Sequence, residues 1–319
     1  MHRFSYHTAE SYAAAAQALK KRPQAWAKGA GVDLLDLLKE RLIEPSDLVS
    51  LHKVKTGAGK GLLPAHTTLA QLGADAGLAK DFPALQQAAA EAATPQIRNR
   101  ATLGGNLAQF TRCPYFRGSD FECFKRGAKF CAAQENGAFN RYHAIFPTSC
   151  ASAHPSNLAP ALIAGDAVAT VVSTEGSREL PVAELYGAPE RGKWSDTTLA
   201  HGELIESVKF APTPLTRNSV YLELRERQSF DFALASVVAA LDVREGKVHA
   251  ARIVCGAVAP TPHRAADAEA LLVGKEPSEE QFKAAAAATV ANATPLAMNK
   301  HKVVILQRLV ERALRKVSQ

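Results

Sequence analysis

Four of the chain's five cysteines, Cys113, Cys123, Cys131 and Cys150, fall in one stretch, and two small-residue polar motifs bracket it. Before it stands Arg98-Asn99-Arg100-Ala101-Thr102-Leu103-Gly104-Gly105-Asn106, and after it His154-Pro155-Ser156-Asn157-Leu158. The order reads as a nucleotide-cofactor loop, a metal-binding loop and a return to the same cofactor pocket. Paired glycines bring backbone close to a ligand. The flanking Thr102 and Asn106 add an alcohol and an amide for hydrogen bonds. A tight turn with Asn106 in a left-handed conformation is the plain alternative.

Nine, seven and eighteen residues separate the four cysteines. Structural zinc sites usually pair cysteines about two to four residues apart, and none are paired so here. Open spacing suits four loop thiolates that each bind one iron of a cluster. Five cysteines are few for a disulfide scaffold of this length, and in a reducing compartment such a group reads first as metal ligands. An iron–sulfur cluster, a zinc ion, and unligated thiols or disulfides all remain open on spacing alone. Arg112, Arg117, Lys125, Arg126, Lys129 and Arg141 outnumber Asp120, Glu122 and Glu135 around them. Such surroundings favour a reduced, more negative cluster, although a solvated loop would look the same. The distant Cys255 reads as a buried core thiol.

A second glycine turn lies near the N-terminus. Ala25-Trp26-Ala27 reads as a strand, Lys28-Gly29-Ala30-Gly31-Val32-Asp33 as a turn, and Leu34 to Lys39 as a helix. Strand, glycine turn and helix start make a phosphate cradle of free amide N–H groups, or simply a structural turn. The dinucleotide fingerprint Gly-x-Gly-x-x-Gly is not met, because Leu34 occupies the third glycine position. Gly57-Ala58-Gly59-Lys60-Gly61 reads as a hairpin or loop. It lacks the Ser/Thr and spacing of a Walker loop, which excludes that kind of ATP site.

At 319 residues the chain is long enough for two domains. With 47% hydrophobic and 22% charged residues it has a globular composition. No apolar run approaches the roughly 20 residues of a membrane helix, and the first residues lack a signal peptide's apolar core. We therefore expect no membrane insertion and a cytoplasmic location, with export in the company of a partner left open. The net charge of +7 raises nucleic acid as a partner. The basic residues are scattered and no zinc-finger or RNA-binding motif accompanies them, so none is expected.

Periodicity predicts helices at 11–20 and 82–93 and strands at 4–6 and 166–172. Alternation at 204–210, 219–225, 235–243 and 249–258 predicts an antiparallel sheet. Helices follow at 265–272, 278–291 and 303–317. The last has Val303, Leu306, Val310, Ala313, Leu314 and Val317 on one face and a basic face opposite. It reads as docked on a core. The loop-rich stretch with Pro181, Gly187, Pro189 and Gly192 reads as a domain boundary.

Taken together, Gly29-Ala30-Gly31-Val32-Asp33-Leu34-Leu35, the stretch from Ile97 to Asn106, and His154 to Leu162 resemble the FAD-binding (medium) subunit of the molybdenum hydroxylases. This is the group of xanthine dehydrogenase, carbon monoxide dehydrogenase and aldehyde oxidoreductase. Gly202-Glu203-Leu204-Ile205, the run 221–240 and Gly256 to Arg264 agree, so the resemblance runs from Phe4 to about Leu272. It implies an α+β chain: a two-subdomain FAD-binding domain of the PCMH/VAO-like type, then an α/β C-terminal domain with an antiparallel sheet. On this reading the first domain covers 1–175, with subdomains of about 1–55 and 56–175 and an insertion at 111–151, and the second covers 176–319.

The resemblance also implies roles. Ala27, Lys28, Gly29, Ala30, Gly31, Val32, Asp33 and Leu34 would wrap the FAD pyrophosphate. Thr102, Gly104, Gly105 and Asn106 would form the second cofactor loop. His154, Asn157 and Leu158 would return to the cofactor, with Ile205 and Glu223 near the flavin or adenine edge. Val32 replaces the family's usual Thr, Asn157 its usual Asp and Glu223 its frequent Lys. A minority of the family, including periplasmic-type aldehyde oxidoreductases and 4-hydroxybenzoyl-CoA reductases, carries a similar insertion of roughly 40 residues. Its four cysteines hold a 4Fe–4S cluster. Here the ligands would be Cys113, Cys123, Cys131 and Cys150.

No nucleophile triad, paired carboxylates or molybdenum-binding sequence is visible, so the chain is expected to do no substrate chemistry alone. The resemblance implies a large partner subunit with the molybdenum cofactor and a small one with two 2Fe–2S clusters. Electrons would pass through FAD to an external acceptor. The 4Fe–4S cluster would be an exit for single electrons or a structural staple. Two other readings stand beside this one: a free-standing flavin oxidoreductase, and a zinc-stapled scaffold without enzymatic activity.

Overall fold

A computed structural model describes residues 2–57 and 59–319. Ala58, in the glycine-rich loop, lies outside the described residues. Three sheets organise the chain. The first is parallel, with strands β1 (Ser5–Thr8), β2 (Ala25–Lys28) and β3 (Asp47–Ser50) in the order β1-β3-β2. Parallel neighbours need crossover connections, and the helices Tyr12–Lys20 and Leu34–Lys39 supply them. Ser11 caps the first of these helices by accepting from the N–H of Ala14, and Tyr12, Ala15, Ala16 and Leu19 form its buried face.

The second sheet is antiparallel and contains β4 (Leu62–Pro64), β5 (Val168–Ser173), β6 (Gly176–Pro181) and β7 (Leu204–Lys209) in the order β4-β7-β5-β6. The third, also antiparallel, contains β8 (Ser219–Leu224), β9 (Ala235–Arg244), β10 (Lys247–Gly256) and β11 (His263–Arg264) in the order β11-β10-β9-β8. The helices Ala266–Leu272, Glu279–Val290 and His301–Val317 cover it. Leu306, Val310, Ala313, Leu314 and Val317 are buried in that interface and Arg308, Arg312 and Lys316 are exposed, as the pattern predicts. Cys255 belongs to the same core, fully buried, and burial pushes its thiol up to about 12. Among the described residues no helix is long and apolar enough to cross a membrane.

Two sequence expectations change. The boundary placed at 175 falls in the β5–β6 hairpin, and the second sheet continues to Lys209. The chain enters the third sheet only at Ser219, through a turn capped by Thr213. Strand β7 accordingly pairs with β4 and β5, away from the C-terminal sheet. Alternation identifies a strand but not its partner. The proline- and glycine-rich stretch before β7 resembles a linker in composition, yet it packs on the cysteine loop. Gly192 donates to the Phe124 carbonyl, Arg191 to that of Gly127, and Ser149 to that of Pro189.

The cysteine loop itself has one short helix, Pro114–Arg117, two 3-10 turns and no strand. Its turns bond part of its backbone internally, as Arg117 N–H to Cys113 and Ala144 N–H to Ala151, and the rest of the chain bonds further carbonyls and amides. Asn299 donates to the carbonyls of His143 and Ala144, and the buried Lys302 ammonium donates to those of Tyr142, His143 and Ala257. The N–H groups of Ile145 and Phe146 both donate to the Val258 carbonyl. An apolar anchor adds to these bonds. Phe116 is fully buried with Leu34, Leu37, Leu38 and Leu48, stacked 6.1 Å from Phe110 and edge-on 5.4 Å from Trp194. Phe116→Ala should therefore cost about 3–5 kcal/mol of stability and expose the 111–151 loop. Denaturant unfolding and limited proteolysis measure the two effects.

His154 is buried where this loop returns, with its N–H on the Ala259 carbonyl and its ring edge-on to Tyr186 at 4.5 Å. Burial pushes its pKa down from 6.5 to about 3, helped by the charge of Lys125. The folded state thus keeps the ring neutral, while the unfolded chain takes up a proton below pH 6.5. Stability from this group is complete above pH 6.5 and is lost as pH falls toward 3, with a slope of up to ~1.4 kcal/mol per pH unit. His154→Gln should flatten the acid limb of the unfolding free energy measured between pH 6.5 and 4.

Candidate functional site

A cleft of about 980 Å³ runs between the first two sheets. Its floor is the turn that follows β2. Gly31 has φ +86°, a left-handed conformation that a side chain would strain, and an added Cβ would meet Lys28 Cε at 3.0 Å and Leu35 Cγ at 3.3 Å. Among the described residues no acceptor takes the N–H of Gly29, Ala30, Gly31, Val32 or Asp33. Gly31 is buried and the others are half-buried, so these donors await a ligand. The helix that follows has only six residues, which leaves the loop amides, more than any helix dipole, to hold an anion.

The second glycine turn faces the first. A Cβ on Gly29 would lie 3.6 Å from Thr102 Oγ1, and one on Gly104 would lie 3.0 Å from the Ala65 Cβ. The motif forms a short helix, Leu103–Leu107, in place of the tight turn that was its plain alternative. Thr102 caps it by accepting from Gly105 N–H, and Gly104 N–H donates to the Ala65 carbonyl. This turn therefore offers close approach and the Asn106 side chain, with few free amides.

Of the residues singled out in the sequence, Ala27, Lys28, Gly29, Ala30, Gly31, Val32, Asp33, Leu34, Thr102, Gly104, Gly105, Asn106, Asn157 and Ile205 line the cleft. Three do not. His154 and Leu158 are buried behind the wall, and Glu223 acts at one remove. Its carboxylate accepts from Asn157 Nδ2 at 3.2 Å and from Tyr221 Oη at 2.6 Å, with Arg225 Nε 3.0 Å away. Glu223 thus orients Asn157, and burial raises its pKa. Asp33 lines the cleft but turns its carboxylate to Phe110 N–H, Arg117 and Arg112, at 2.7, 2.6 and 2.9 Å.

Sequence reasoning passed over His66, Ser195, Thr197, Phe230 and Phe232, which also line the cleft. No motif marks them, because they arrive from loops remote in sequence. Arg100 stood inside a quoted motif and could have been chosen. It lines the cleft with Lys28, Lys55, Arg112 and Arg227, against Asp33, Asp36, Glu203 and Asp231, and Arg112 and Arg227 are paired with Asp33 and Asp231. The Nδ1 of His66 is buried without a hydrogen-bond partner. Unpaired amides and a glycine cradle, with Lys28 at its edge, fit a nucleotide cofactor with a pyrophosphate.

The four clustered thiols are free, Cys123 and Cys150 buried and Cys113 and Cys131 half-buried. Cys150 Sγ bonds Ser152, and Cys131 Sγ accepts from Ala151 N–H. The Cys131 thiol pulls the Cys150 thiol down to about 6, aided by Lys125 and Ser152, while Cys150 and burial raise Cys131. Burial pushes Cys113 up to about 12 and also raises Cys123. His143 Nε2 lies 3.2 Å from Cys113 Sγ. Among the described residues no three His, Cys, Asp or Glu side chains converge as one metal ion would require. The four cysteines expected as ligands thus form no metal site in this structure.

Known proteins agree with this geometry. The profile of the FAD binding domain in molybdopterin dehydrogenase matches residues 2–213, and that of the CO dehydrogenase flavoprotein C-terminal domain matches 220–317. The chain is 34% identical to the aldehyde oxidoreductase FAD-binding subunit PaoB of Escherichia coli, over 98% of both chains. It is 28% identical to the carbon monoxide dehydrogenase medium chain of Afipia carboxidovorans, over 97% of this chain and 96% of that one. Among solved structures, quinoline 2-oxidoreductase from Pseudomonas putida superposes with a TM-score of 0.75 at 25% identity, over 100% of this chain and 98% of that one. On these grounds the chain belongs to the FAD-binding medium-subunit family of the molybdenum hydroxylases.

Proposed function

We propose that this chain is the FAD-carrying electron-transfer subunit of a molybdenum hydroxylase complex that oxidises aldehydes or related substrates. Its partners would be a large subunit with the molybdenum cofactor and a small subunit with 2Fe–2S clusters, and an external acceptor would take the electrons. The similarity to an aldehyde oxidoreductase subunit along nearly the whole chain supports this substrate class. Bound FAD would supply the chemistry of taking electrons singly and releasing them singly or in pairs. The amides of Gly29 to Asp33 would hold the pyrophosphate, Lys28 would balance its charge, and Asn106, Asn157 and Ile205 would line the ring or ribityl portion.

We further assign Cys113, Cys123, Cys131 and Cys150 as ligands of a 4Fe–4S cluster. A single ion needs four donors converging on a point. A cubane takes four loop thiolates, each on its own iron, and the open spacing of the four cysteines in one stretch supports that reading. One observation carries the link between the two centres. Cys150 Sγ lies 3.4 Å from Ser152 Oγ, and six residues after Cys150 the Ser156 hydroxyl donates to Asn106 Oδ1 at 2.6 Å. Asn106 and Asn157, the latter at the end of this segment, both line the cleft. A single extended segment thus joins a thiol ligand to the cofactor wall, and this favours a redox exit over a mere staple.

The two sites should separate by mutation. Cys123→Ser should lose iron yet largely keep flavin, whereas Gly31→Ala should lose most flavin and keep iron. Iron assay and flavin absorbance of the purified variants read both. Equal loss of flavin and iron in both variants would overturn the assignment of two adjoining but separate sites.

A further inference from the structure

Asn157 stands at the N-cap of the helix Leu158–Ala164, where an asparagine side chain commonly accepts from a helix N–H. Here it makes no such bond. Two neighbours serve the helix start instead. Ser156 Oγ accepts from Ala159 N–H at 3.0 Å, and Asn106 Oδ1 accepts from Leu158 N–H at 3.4 Å. The Asn157 amide is released from capping, and it lines the cleft.

Strand β8 decides which way that amide faces. Asn157 Nδ2 donates to Glu223 Oε2 at 3.2 Å and to Tyr221 Oη at 3.1 Å, and Tyr221 Oη donates to Glu223 Oε2 at 2.6 Å. These bonds close in one sense only. An ionised carboxylate accepts and cannot donate, and the tyrosine spends its one hydrogen on it. The amide must therefore turn its NH2 group to the wall. The clamp is itself held. The Glu223 side chain is 5% exposed and has Arg225 Nε 3.0 Å from Oε1, and Arg225 also meets Glu91 at 3.0 Å. The buried Tyr221 fixes its backbone through an N–H donated to Gln87 Oε1 at 2.9 Å. Among the described residues no N–H or O–H donates to Asn157 Oδ1, so this oxygen keeps its full accepting capacity.

We propose that Tyr221 and Glu223 are positioning residues that lock the Asn157 amide with its carbonyl oxygen toward the cleft, where it accepts a hydrogen bond from an N–H or O–H of FAD. The inference rests on the FAD reading above. The sign of the group at position 223 then sets what position 157 shows the cofactor. Glu223→Lys replaces an acceptor by a donor, so the amide flips and turns its NH2 to the cleft. Asn157→Asp sets a carboxylate oxygen against the Glu223 carboxylate. In the double variant the new ammonium holds one oxygen of the new carboxylate, and the other faces the cleft as an acceptor again.

The test is this double-mutant cycle in the purified complex, stripped of flavin and titrated with FAD by flavin fluorescence. The visible spectrum and flavin midpoint potential are recorded on the reloaded samples. Each single variant should weaken FAD binding about tenfold, the scale of one lost and mispaired hydrogen bond. The double variant should return to within about threefold of wild type. A residue that only packed the wall would show no such rescue. A donor on the flavin ring adds a shift of midpoint or spectrum in the single variants, and a ribityl donor changes affinity alone. Single variants that bind FAD as tightly as wild type, or a double variant no better than the weaker single one, would overturn the proposal. If Glu223→Lys fails to fold, Asn157→Asp decides alone, and wild-type affinity there sinks the idea. A wild-type complex that takes up no FAD would instead overturn the reading of the cleft.

Discussion

The carboxylate of Asp33 is the tie between the phosphate-type turn and the cysteine loop. It sits at the end of the turn after β2 but accepts from the backbone of Phe110 and from Arg117, with Arg112 beside it. Both arginines come from the loop that carries the thiols. The side chain does not cap its own helix, and this choice has two results. The turn is held open with its amides unpaired, and the loop is fixed against the cleft wall. Charge-assisted bonds of this kind are the strong ones, and the pair side chains are only 11–25% exposed. Severing the tie would disturb the cofactor turn and the thiol loop together.

The loop needs such ties because it makes little regular structure. Part of its backbone is satisfied from outside by Asn299, Lys302 and Val258, and its aromatic anchors sit in a small core shared with the Leu34–Lys39 helix. Both the N-terminal unit and the C-terminal domain thus contribute to holding it. The C-terminal domain, which contributes little to the cleft lining beyond the β8–β9 loop, clamps the loop from behind. The chain's charge pattern follows the same logic. Arginines near the thiols are paired or bonded to carbonyls, as Arg117 with Asp33 and Arg126 with Gly118, and Lys125 is paired with Asp196.

Much of this was legible in the sequence, for identifiable reasons. Local signals marked the glycine turn at Gly29 and Gly31, the Gly104-Gly105 pair and the C-terminal amphipathic helix, because backbone freedom and a 3.6-residue period leave direct traces. Long-range partners left none. The β7 strand alternates as a C-terminal strand would but pairs with β4 and β5. His154 and Glu223 sit in family-like motifs, yet the first supports the wall from behind and the second holds Asn157. The buried Lys125–Asp196 pair joins residues 71 positions apart, and nothing in either local sequence announces the other.

The account stands or falls on two redox groups sharing one folded unit. The most direct measurement is the ratio of iron and acid-labile sulfide to flavin in the wild-type complex, isolated without air. About four irons and four sulfides per flavin, beyond those assigned to the small partner subunit, are predicted. A sample with full flavin content and no iron beyond the partner's share would contradict the account.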